Sequence, residues 1–536
     1  MSTNGGSWAP FPRRYNAAVD LVDRHVTEGR AERIAFRDDR RTVTYGELAR
    51  RVNRAGNALL GLGMEPEQRV MLLMHDTIDF PAVFLGAIKA GLVPVPVNTL
   101  LTTEDYAHFL SDSRARALVV SEALLPKVEA ALGGAAKLRS VIVAGAGDAL
   151  DAANAGRGGG VPEGSRYERL EVLLEGADDA LEAAPTTPDD VAFWFYSSGS
   201  TGAPKGAIHL HSHLMQTARL YAQGVLGIRE DDIVFSAAKL FFAYGLGNSL
   251  TFPLSVGASS VLMAERPTPA SVLRVLREHR PTIFCGVPTL FAAMLADANV
   301  TREAGSPALR VCTSAGEALP KHVGEKWRKR MGCDILDGIG TTEMLHIFLS
   351  NRPGEVRYGT SGRPVPGYEL KVLGDDGVPA AAGEEGSLWV HGPTAAIAYW
   401  NQRDASRATF HGPWTRTGDR YVRDAEGYFT YLGRTDDMLK VGGIWVSPFE
   451  VESALAAHEA VLEAAVVGHA DADQLVKPKA FVVLRPGVEE SEALSNELKE
   501  FVKKTLAPYK YPRWVEFVAE LPRTATGKIQ RFRLRG

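Results

Sequence analysis

A stretch beginning at Thr44 has the polar and apolar pattern of a surface helix. Thr44 and Glu47 have capping-box spacing, in which each side chain bonds the backbone N–H of the other residue. Apolar side chains then recur every three or four residues along one helical face, at Leu48, Val52, Ala55 and Leu59. This pattern predicts a helix that packs one side against a core.

Short apolar runs follow this helix and alternate with further helical patterns. They cover residues 70–74, 118–120 and 141–144, and each is long enough for one buried strand. Strands that alternate with helices are typical of α/β layers built on largely parallel sheets. The glycine-rich residues 145–164 predict a surface loop within this region.

The C-terminal part of the chain has a different pattern. Turn residues and charges are mixed over 433–452, and a helix is predicted to start near Pro448. Two strand-like runs at 464–467 and 481–484 precede a second helix, whose apolar face contains Leu494, Leu498, Phe501 and Val502. We therefore predict an α/β protein with a large, multi-subdomain N-terminal domain at residues 1–435 and a small, mobile α+β domain at residues 436–536.

Composition narrows the classes of partner. The chain has 536 residues, with 60 Lys and Arg against 64 Asp and Glu, so its net charge of −4 gives no footprint for nucleic acid. Its three cysteines, Cys285, Cys312 and Cys333, are too widely spaced for a zinc or dithiol motif, which favours a reducing, cytoplasmic setting. The apolar stretch 70–97 is interrupted by charges, so no membrane span is predicted.

A loop rich in glycine and hydroxyl residues follows the apolar run 191–195. Over 196–206 the sequence reads YSSGSTGAPKG. Glycine lets the backbone approach an anion closely, hydroxyl groups donate hydrogen bonds, and Lys205 adds a positive charge. This composition predicts a polyphosphate-binding loop, with an ordinary serine-glycine turn as the alternative. The loop is not a Walker loop, because Gly206 stands where a magnesium-ligating hydroxyl residue would follow the lysine.

The same loop resembles the signature of the adenylate-forming superfamily, which includes acyl-CoA synthetases, adenylation domains and beetle luciferases. Further segments resemble the motifs of that superfamily, in the same order and over nearly the whole chain. They are SAGEALP at 314–320 for adenine, TTE at 341–343 for magnesium, TGD at 417–419 for ribose, the hinge block GRTDD at 433–437, and PRTATGK ending at Lys528.

The resemblance implies an ATP-dependent acid:CoA ligase that forms an acyl adenylate and then passes the acyl group to a thiol. ATP, Mg²⁺ and coenzyme A would be its cofactor and co-substrates. The ATP and AMP site would comprise Ser197, Ser198, Gly199, Ser200, Thr201, Gly202, Lys205, Gly316, Glu317, Asp337, Gly338, Thr342, Asp419 and Arg434.

The resemblance also assigns catalytic roles. Lys528 would lie between the substrate carboxylate and the α-phosphate, where an ammonium group offsets the repulsion of two anions, although a solvated tail lysine is the alternative. Glu343 would hold Mg²⁺, and a surface glutamate is the alternative. Lys440 would act in the thioester-forming conformation, with solvent exposure as the alternative. Asp436 would be the hinge, and Gly442 and Gly443 would line a coenzyme A channel.

The acid pocket is expected around the segment FFAYGLGN at 241–248. This segment has no carboxylate to pair with a substrate ammonium, so amino acids are disfavoured, while its aromatic rings suit a flat acid. It resembles benzoate:CoA ligases and their hydroxybenzoate relatives. Tyr244 and Ile339 depart from the wider superfamily, which commonly has histidine and tyrosine there. The predicted pocket comprises Phe242, Ala243, Tyr244, Phe252, Ile339, Gly340 and His346, with core packing as the alternative for its aromatic residues.

Several alternatives stay open on the sequence. An aryl acid adenylation enzyme that loads a carrier-protein thiol would share these motifs, as would a ligase for hydroxybenzoate or another acid. A silent nucleotide-binding protein with this fold is a different class, and it is disfavoured because Lys205, Glu343, Asp419, Asp436 and Lys528 are all present. The expected partners are a small aromatic carboxylate, ATP and coenzyme A. The sequence leaves open whether the chain forms a homodimer.

Overall fold

The computed structural model describes residues 10–145, 166–197, 204–435, 437–441, 444–471, 475–507, 510–523 and 529–535. Apart from Gly145, the predicted loop over 145–164 lies outside these residues.

The strands, in chain order, are β1 (Ile34–Arg37), β2 (Thr42–Thr44), β3 (Arg69–Leu73), β4 (Val93–Pro96), β5 (Ala117–Ser121), β6 (Ser140–Ala144), β7 (Arg166–Arg169), β8 (Val191–Ser197), β9 (Lys205–Leu210), β10 (Ile233–Ser236), β11 (Ser259–Val261), β12 (Ile283–Gly286), β13 (Val311–Ser314), β14 (Ile335–Gly340), β15 (Ile347–Ser350), β16 (Arg363–Pro364), β17 (Glu369–Leu373), β18 (Glu385–His391), β19 (Phe410–His411), β20 (Trp414–Arg423), β21 (Phe429–Arg434), β22 (Leu439–Val441), β23 (Ile444–Val446), β24 (Val461–Ala470), β25 (Val476–Leu484) and β26 (Trp514–Phe517).

The α-helices are Arg24–Thr27, Tyr45–Gly61, Asp79–Lys89, Thr103–Ser113, Leu125–Leu132, Leu170–Gly176, His211–Thr217, Ala243–Leu246, Phe252–Val256, Pro269–His279, Pro288–Ala296, Lys321–Met331, Arg403–Thr409, Pro448–Ala456 and Glu492–Thr505. π-Helical turns cover Val19–Asp23, Ala218–Leu226 and Gly247–Thr251, and 3-10 turns cover Glu122–Leu124 and Arg531–Leu534.

The helix predicted from Thr44 is present with its capping box. The Thr44 hydroxyl accepts a hydrogen bond from the backbone N–H of Glu47 at 3.2 Å, and the Glu47 carboxylate accepts one from the N–H of Thr44 at 2.8 Å. These two bonds satisfy donors that a helix start otherwise leaves unpaired. The helix buries its apolar stripe against the helix Asp79–Lys89, where Gly86 allows close approach of the two backbones.

A parallel sheet with the order β4-β3-β5-β6-β7 contains the three predicted apolar runs. β5 and β6 are buried along their whole length, which explains why they read as continuous apolar runs instead of alternating.

A second sheet positions the site. Within the described residues it has nine strands in the order β16-β15-β14-β13-β12-β10-β11-β1-β2, and the strands from β1 to β14 in this order are parallel. In a parallel sheet the carboxyl ends of neighbouring strands meet at one edge, where ligands commonly bind. The predicted adenine segment follows β13, and the TTE turn follows β14. Both therefore lie at this edge.

The hairpin β8–β9 flanks the predicted phosphate loop and is extended by a later segment. Ile208 N donates to Ala398 O at 3.1 Å, Ile397 N donates to Ile208 O at 3.1 Å, and Trp400 N donates to Gly206 O at 2.8 Å. These bonds bring residues 396–400 beside the start of β9. An antiparallel sheet of β17, β18, β20, β19 and β21 carries the TGD motif on β20.

The C-terminal elements have a hydrophobic cluster of their own. The ribbon β22–β23 and the sheet β24-β25-β26 pack with the helices Pro448–Ala456 and Glu492–Thr505 around residues such as Val466 and Leu498. The predicted α/β class, with a small α+β part at the C-terminal end, is confirmed. The boundary at Asp436 stays a prediction, since Asp436 lies outside the described residues. No helix in the described part of the chain is both long enough and apolar enough to cross a membrane.

Candidate active site

The predicted phosphate loop connects β8 to β9, and both of its ends are described. Ser197 pairs with Lys205 across the hairpin. The Lys205 ammonium lies 5.3 Å from the centroid of the Tyr399 ring, a cation–π distance. The other predicted loop residues lie outside the described residues: Ser198, Gly199, Ser200, Thr201 and Gly202.

Glu343 contacts the hydroxyl of the same tyrosine. The Tyr399 hydroxyl donates to Glu343 Oε1 at 2.7 Å, and the Glu343 carbonyl accepts the N–H of Ala396 at 2.7 Å. Burial, together with the nearby Glu343 carboxylate, raises the pKa of Tyr399 well above its ordinary value, so the hydroxyl stays a donor. Tyr399 thus joins Lys205 and Glu343, the two predicted phosphate and metal groups.

The donor set around Glu343 fits a magnesium ion that arrives with ATP. Mg²⁺ prefers oxygen ligands and usually takes one or two carboxylates, substrate phosphates and waters. Among the described residues, no three His, Cys, Asp or Glu side chains come together as a protein-only metal site. A single half-buried carboxylate beside the phosphate hairpin is the arrangement that a nucleotide-borne Mg²⁺ needs.

Asp419, predicted to bind ribose, is held by an ion pair across β20 and β21. Arg434 Nη1 donates to Asp419 Oδ1 at 3.0 Å and to the Thr417 carbonyl at 2.9 Å. The Asp419 carboxylate holds the pKa of Arg434 above its ordinary value. Gly418 has a φ of +78°, and a Cβ there would lie 2.7 Å from Arg434 Nη2, so this turn requires glycine. The ion pair thus holds a carboxylate and a guanidinium side by side on two neighbouring strands.

The predicted adenine segment lies beside Asp337. Ser314, at the end of β13, pairs with Asp337 on β14, and Leu319 N donates to Asp337 Oδ2 at 3.4 Å. Burial raises the pKa of Asp337 well above its usual range. Packing leaves no room for a side chain at Gly338, because a Cβ there would lie 2.8 Å from Leu349 O. Gly316 is exposed and Glu317 is half-buried in the same segment.

Three of the predicted acid-pocket residues meet through their rings. His346 lies 4.4 Å from Phe252 and 5.5 Å from Tyr244 between ring centroids, and its Nε2 is 3.3 Å from the Tyr244 carbonyl. Burial lowers the pKa of His346 to about 3, so the ring is neutral. A carbonyl oxygen can only accept, so Nε2 carries the hydrogen. The Tyr244 hydroxyl is 2.7 Å from Thr313 Oγ1.

The remaining predicted pocket residues lie next to this ring group. Gly340 ends β14, and a Cβ there would lie 2.5 Å from His346 O, so glycine permits the close approach. Ile339 precedes it on the same strand and is half-buried. Phe242 and Ala243 are half-buried at the start of the helix Ala243–Leu246, and Phe242 packs on Phe241 with centroids 4.6 Å apart. The pocket is aromatic and uncharged at these positions.

The sequence patterns did not point to Tyr399 or Thr313. Tyr399 lies far along the chain from both Lys205 and Glu343, outside every motif, and only the added strand pairing at residues 396–400 brings it to the site. Thr313 lies one residue before the adenine segment, where a buried strand threonine carries no distinguishing signal.

The residues predicted for the second half of the reaction are mostly outside the described residues. These are Asp436, Gly442 and Gly443, while Lys440 is described only as the middle residue of β22. Lys528, which is predicted for adenylate formation, also lies outside the described residues. Beside the predicted hinge, Asp437 forms an ion pair with Arg535 at 2.6 Å. The roles of these residues stay predictions.

Comparison with known proteins gives the family. The model of the AMP-binding enzymes matches residues 22–400, and that of the AMP-binding enzyme C-terminal domain matches residues 450–528. A benzoate–CoA ligase of Thauera aromatica is 58% identical over 98% of this chain and 96% of its own length. A 4-hydroxybenzoate–CoA/benzoate–CoA ligase of Rhodopseudomonas palustris is 51% identical over 98% of this chain and 94% of its own length.

A solved structure leads to the same conclusion. The structure of a benzoate CoA ligase from Burkholderia xenovorans LB400 superposes with a TM-score of 0.88 at 52% identity, over 97% of this chain and all of that chain. With both family models matched and full-length relatives at more than half identity, the predicted membership is confirmed. The chain belongs to the family of AMP-binding enzymes.

Proposed function

We propose that this protein is an AMP-forming aryl carboxylate:CoA ligase that converts benzoate to benzoyl-CoA through a benzoyl adenylate. The observation that carries the proposal is that charged groups and neutral rings lie next to one another around Glu343. Lys205 and Glu343 both contact Tyr399, and the Asp419–Arg434 pair is close enough to act electrostatically on Tyr399 and Glu343. The neutral ring group of Tyr244 and His346 begins three residues after Glu343. The named activities of the relatives supply the acid and the thiol.

In the first step, a carboxylate oxygen attacks the α-phosphorus of ATP. A carboxylate–phosphorus bond forms, the bond to the bridging oxygen breaks, and pyrophosphate leaves. Lys205 and the phosphate loop hold the polyphosphate, and Asp419 accepts hydrogen bonds from the ribose hydroxyls. Glu343 would hold Mg²⁺, which would neutralise phosphate charge. Lys528 would supply an ammonium between the two anions, whose mutual repulsion would otherwise cost on the order of several kcal/mol.

In the second step, the thiol of coenzyme A attacks the acyl carbon of the adenylate. A carbon–sulfur bond forms, AMP leaves with the carbon–oxygen electron pair, and the thiol proton passes to water. Because the thiol must approach where pyrophosphate left, the C-terminal domain turns about Asp436. Lys440 would act in this second conformation, and Gly442 and Gly443 would let the pantetheine arm pass close to the backbone.

The acid pocket supports a small aromatic acid. An ammonium buried among Tyr244, Phe252 and His346 would lack a counter-charge from any of these three groups, and burying an unpaired charge is costly. A flat ring can instead make edge and offset contacts with their faces. Hydroxybenzoate is the second candidate acid, because the Rhodopseudomonas palustris relative is named as a ligase of both 4-hydroxybenzoate and benzoate. A carrier-protein thiol is the alternative acceptor.

The setting of the enzyme is part of the proposal. Cys285, Cys312 and Cys333 are all free thiols and buried, which supports a reducing compartment such as the cytoplasm.

Pyrophosphate release tests the proposal. The purified chain would be incubated with ATP and Mg²⁺ and a panel of benzoates, cinnamates, medium-chain fatty acids and amino acids, each with and without coenzyme A. We expect sustained release with benzoate only when coenzyme A is present. Turnover of fatty acids alone would keep the reaction type and reject the aryl pocket, and nucleotide binding with no release for any acid would reject the enzyme.

A further inference from the structure

His209 is a fully buried histidine that none of the predicted motifs contains. It lies on β9, four residues after Lys205, and its Nε2 is 2.8 Å from the carbonyl oxygen of Thr342. Its Nδ1 is 3.1 Å from Nδ1 of His213, and its ring stacks on Phe193 with centroids 5.3 Å apart. The imidazole is thus held on three sides.

The hydrogen positions on this ring follow from its partners. The Thr342 carbonyl can only accept, so Nε2 of His209 carries a hydrogen and donates it. Burial lowers the pKa of His209 to about 4, so the ring is neutral and its Nδ1 is an acceptor. His213 Nδ1 must then carry a hydrogen and donate it to His209 Nδ1 at 3.1 Å. In that state it cannot accept the N–H of Leu210, whose nitrogen lies farther from it, at 3.4 Å. Two neutral histidines therefore fix one donor that faces Thr342.

The carbonyl that receives this hydrogen bond lies next to Glu343. Glu343 itself is held by Tyr399 and Ala396, which belong to the segment that extends the β8–β9 hairpin. Among the described residues, the turn is linked to the hairpin through residues 396–400 and through the imidazole. Of these, only the imidazole runs directly from the strand of Lys205 to the TTE turn.

We propose that His209 is a positioning residue for the MgATP complex. Its Nε2–H fixes the turn that presents Glu343 to the metal and phosphates, relative to the hairpin that carries Lys205. This inference rests on the nucleotide-binding roles proposed for Lys205 and Glu343. A histidine that only fills the core would stabilise the protein without affecting the affinity for MgATP.

Three substitutions at His209 distinguish the role of its Nε2 from that of its Nδ1. In glutamine the amide nitrogen is three bonds from Cβ, as Nε2 is in histidine, while in asparagine it is two bonds away, as Nδ1 is. His209→Gln should keep a donor near Thr342, whereas His209→Asn and His209→Leu should lose it. His211→Leu is the matched control, because His211 is equally buried and its Nδ1 accepts a bond from Ala17 N, away from the TTE turn.

The measurement is the equilibrium binding of MgATP by calorimetry, without any acid, followed by the KM values for MgATP and benzoate in pyrophosphate release. We expect His209→Leu and His209→Asn to bind MgATP roughly 10–100-fold more weakly, the usual effect of losing a group that orients a metal ligand. His209→Gln should recover most of that affinity. The KM for benzoate should stay unchanged, and His211→Leu should match the wild type in MgATP affinity while losing as much thermal stability as His209→Leu.

Equal MgATP affinity in all variants would overturn the inference, as would an equal loss in His209→Gln and His209→Leu, or the same loss in His211→Leu. Calorimetry separates this test from the proposed function. If the wild type binds MgATP but turns over no aryl acid, the proposed function is rejected. The ranking of the variants by their affinity for MgATP still decides the role of His209. A wild type that binds no MgATP would overturn both.

Discussion

The proposed nucleotide site and the proposed acid pocket adjoin one another around residues 337–346, yet they are built from different interactions. On the nucleotide side, charged groups are held by directed bonds, such as Arg434 to Asp419 at 3.0 Å and Tyr399 to Glu343 at 2.7 Å. On the acid side, neutral rings pack against one another, with Phe252 and His346 in an edge contact at 4.4 Å. The first arrangement positions charge, and the second selects by shape.

This difference explains how one fold can serve many acids. ATP is the same in every reaction of the family, so its site depends on specific donors and carboxylates that tolerate little change. Selection among apolar acids depends on ring contacts and volume, where single changes usually alter affinity by only about 1–3 kcal/mol. We therefore expect substitutions on the nucleotide side to reduce the turnover rate for every acid. Substitutions in the acid pocket should instead change the relative rates for different acids.

The largest effect is expected for Lys528→Ala. Losing one preorganised charge-stabilising group should slow adenylate formation roughly 10²–10³-fold. Thioester formation from supplied benzoyl adenylate should be spared, because the second step does not bring two anions together. Stopped-flow measurement of each half-reaction checks this, with the exposed Lys504→Ala on the helix Glu492–Thr505 as the control. Equal losses in both half-reactions would contradict the role assigned to Lys528.

The next effect concerns the Asp419–Arg434 pair. Asp419→Asn keeps the volume but removes the charge that pairs with Arg434. It also weakens the acceptor that we propose for both ribose hydroxyls. We expect the KM for ATP to rise about 10–100-fold, the range for weakening a charge-assisted contact of this kind, with the KM for benzoate unchanged. Asp424→Asn is the control, since Asp424 pairs with Arg357 at 2.8 Å in the turn between the same two strands. A similar rise in that variant would show that only the hairpin's stability matters.

A smaller effect is expected in the acid pocket. His346→Ala removes the ring that contacts both Phe252 and Tyr244, so it should enlarge the pocket. We expect kcat/KM for substituted benzoates to rise relative to benzoate by roughly tenfold, with the KM for ATP unchanged. His25→Ala controls for the loss of a buried histidine, because the His25 ring contacts Tyr45 and the Leu254 carbonyl instead of the rings of Phe252 and Tyr244. Unchanged ratios among the acids would place His346 outside the selecting surface.

The smallest expected effect is an absence of pH dependence. Because burial lowers the pKa of His346 to about 3, only about one ring in a thousand is charged at pH 6, and protonation would become significant only near pH 3. The ratio of kcat/KM for benzoate to that for 3-hydroxybenzoate should therefore stay constant from about pH 8 to 6. If the ratio instead followed an ionisation near the ordinary histidine pKa in the wild type but not in His346→Phe, the pocket would be charged.

The sequence predicted those features that depend on local chemistry. The Thr44–Glu47 capping box, the strands β5, β6 and β24, and the C-terminal helices are present where periodicity and turn residues placed them. Family membership followed from the ordered motifs and is confirmed. The predicted roles of the site residues stay predictions.

What the sequence did not predict depends on long-range pairing. Tyr399 reaches Glu343 only because residues 396–400 add to the β8–β9 hairpin, and no local pattern specifies that register. Thr313 and His209 are buried on strands, where threonine and histidine look like ordinary core residues until their partners are known. Contacts between residues distant in sequence therefore determined the parts that the motifs missed.

The most direct test of the central claim is to trap the intermediate. The purified chain would be mixed with ATP, Mg²⁺ and benzoate without coenzyme A, quenched within milliseconds to seconds, and examined by mass spectrometry. We expect stoichiometric benzoyl-AMP with an equal amount of pyrophosphate, converted to benzoyl-CoA and AMP when coenzyme A is then added. Formation of benzoyl-CoA with ADP and phosphate, or no benzoyl-AMP at any time, would contradict the account.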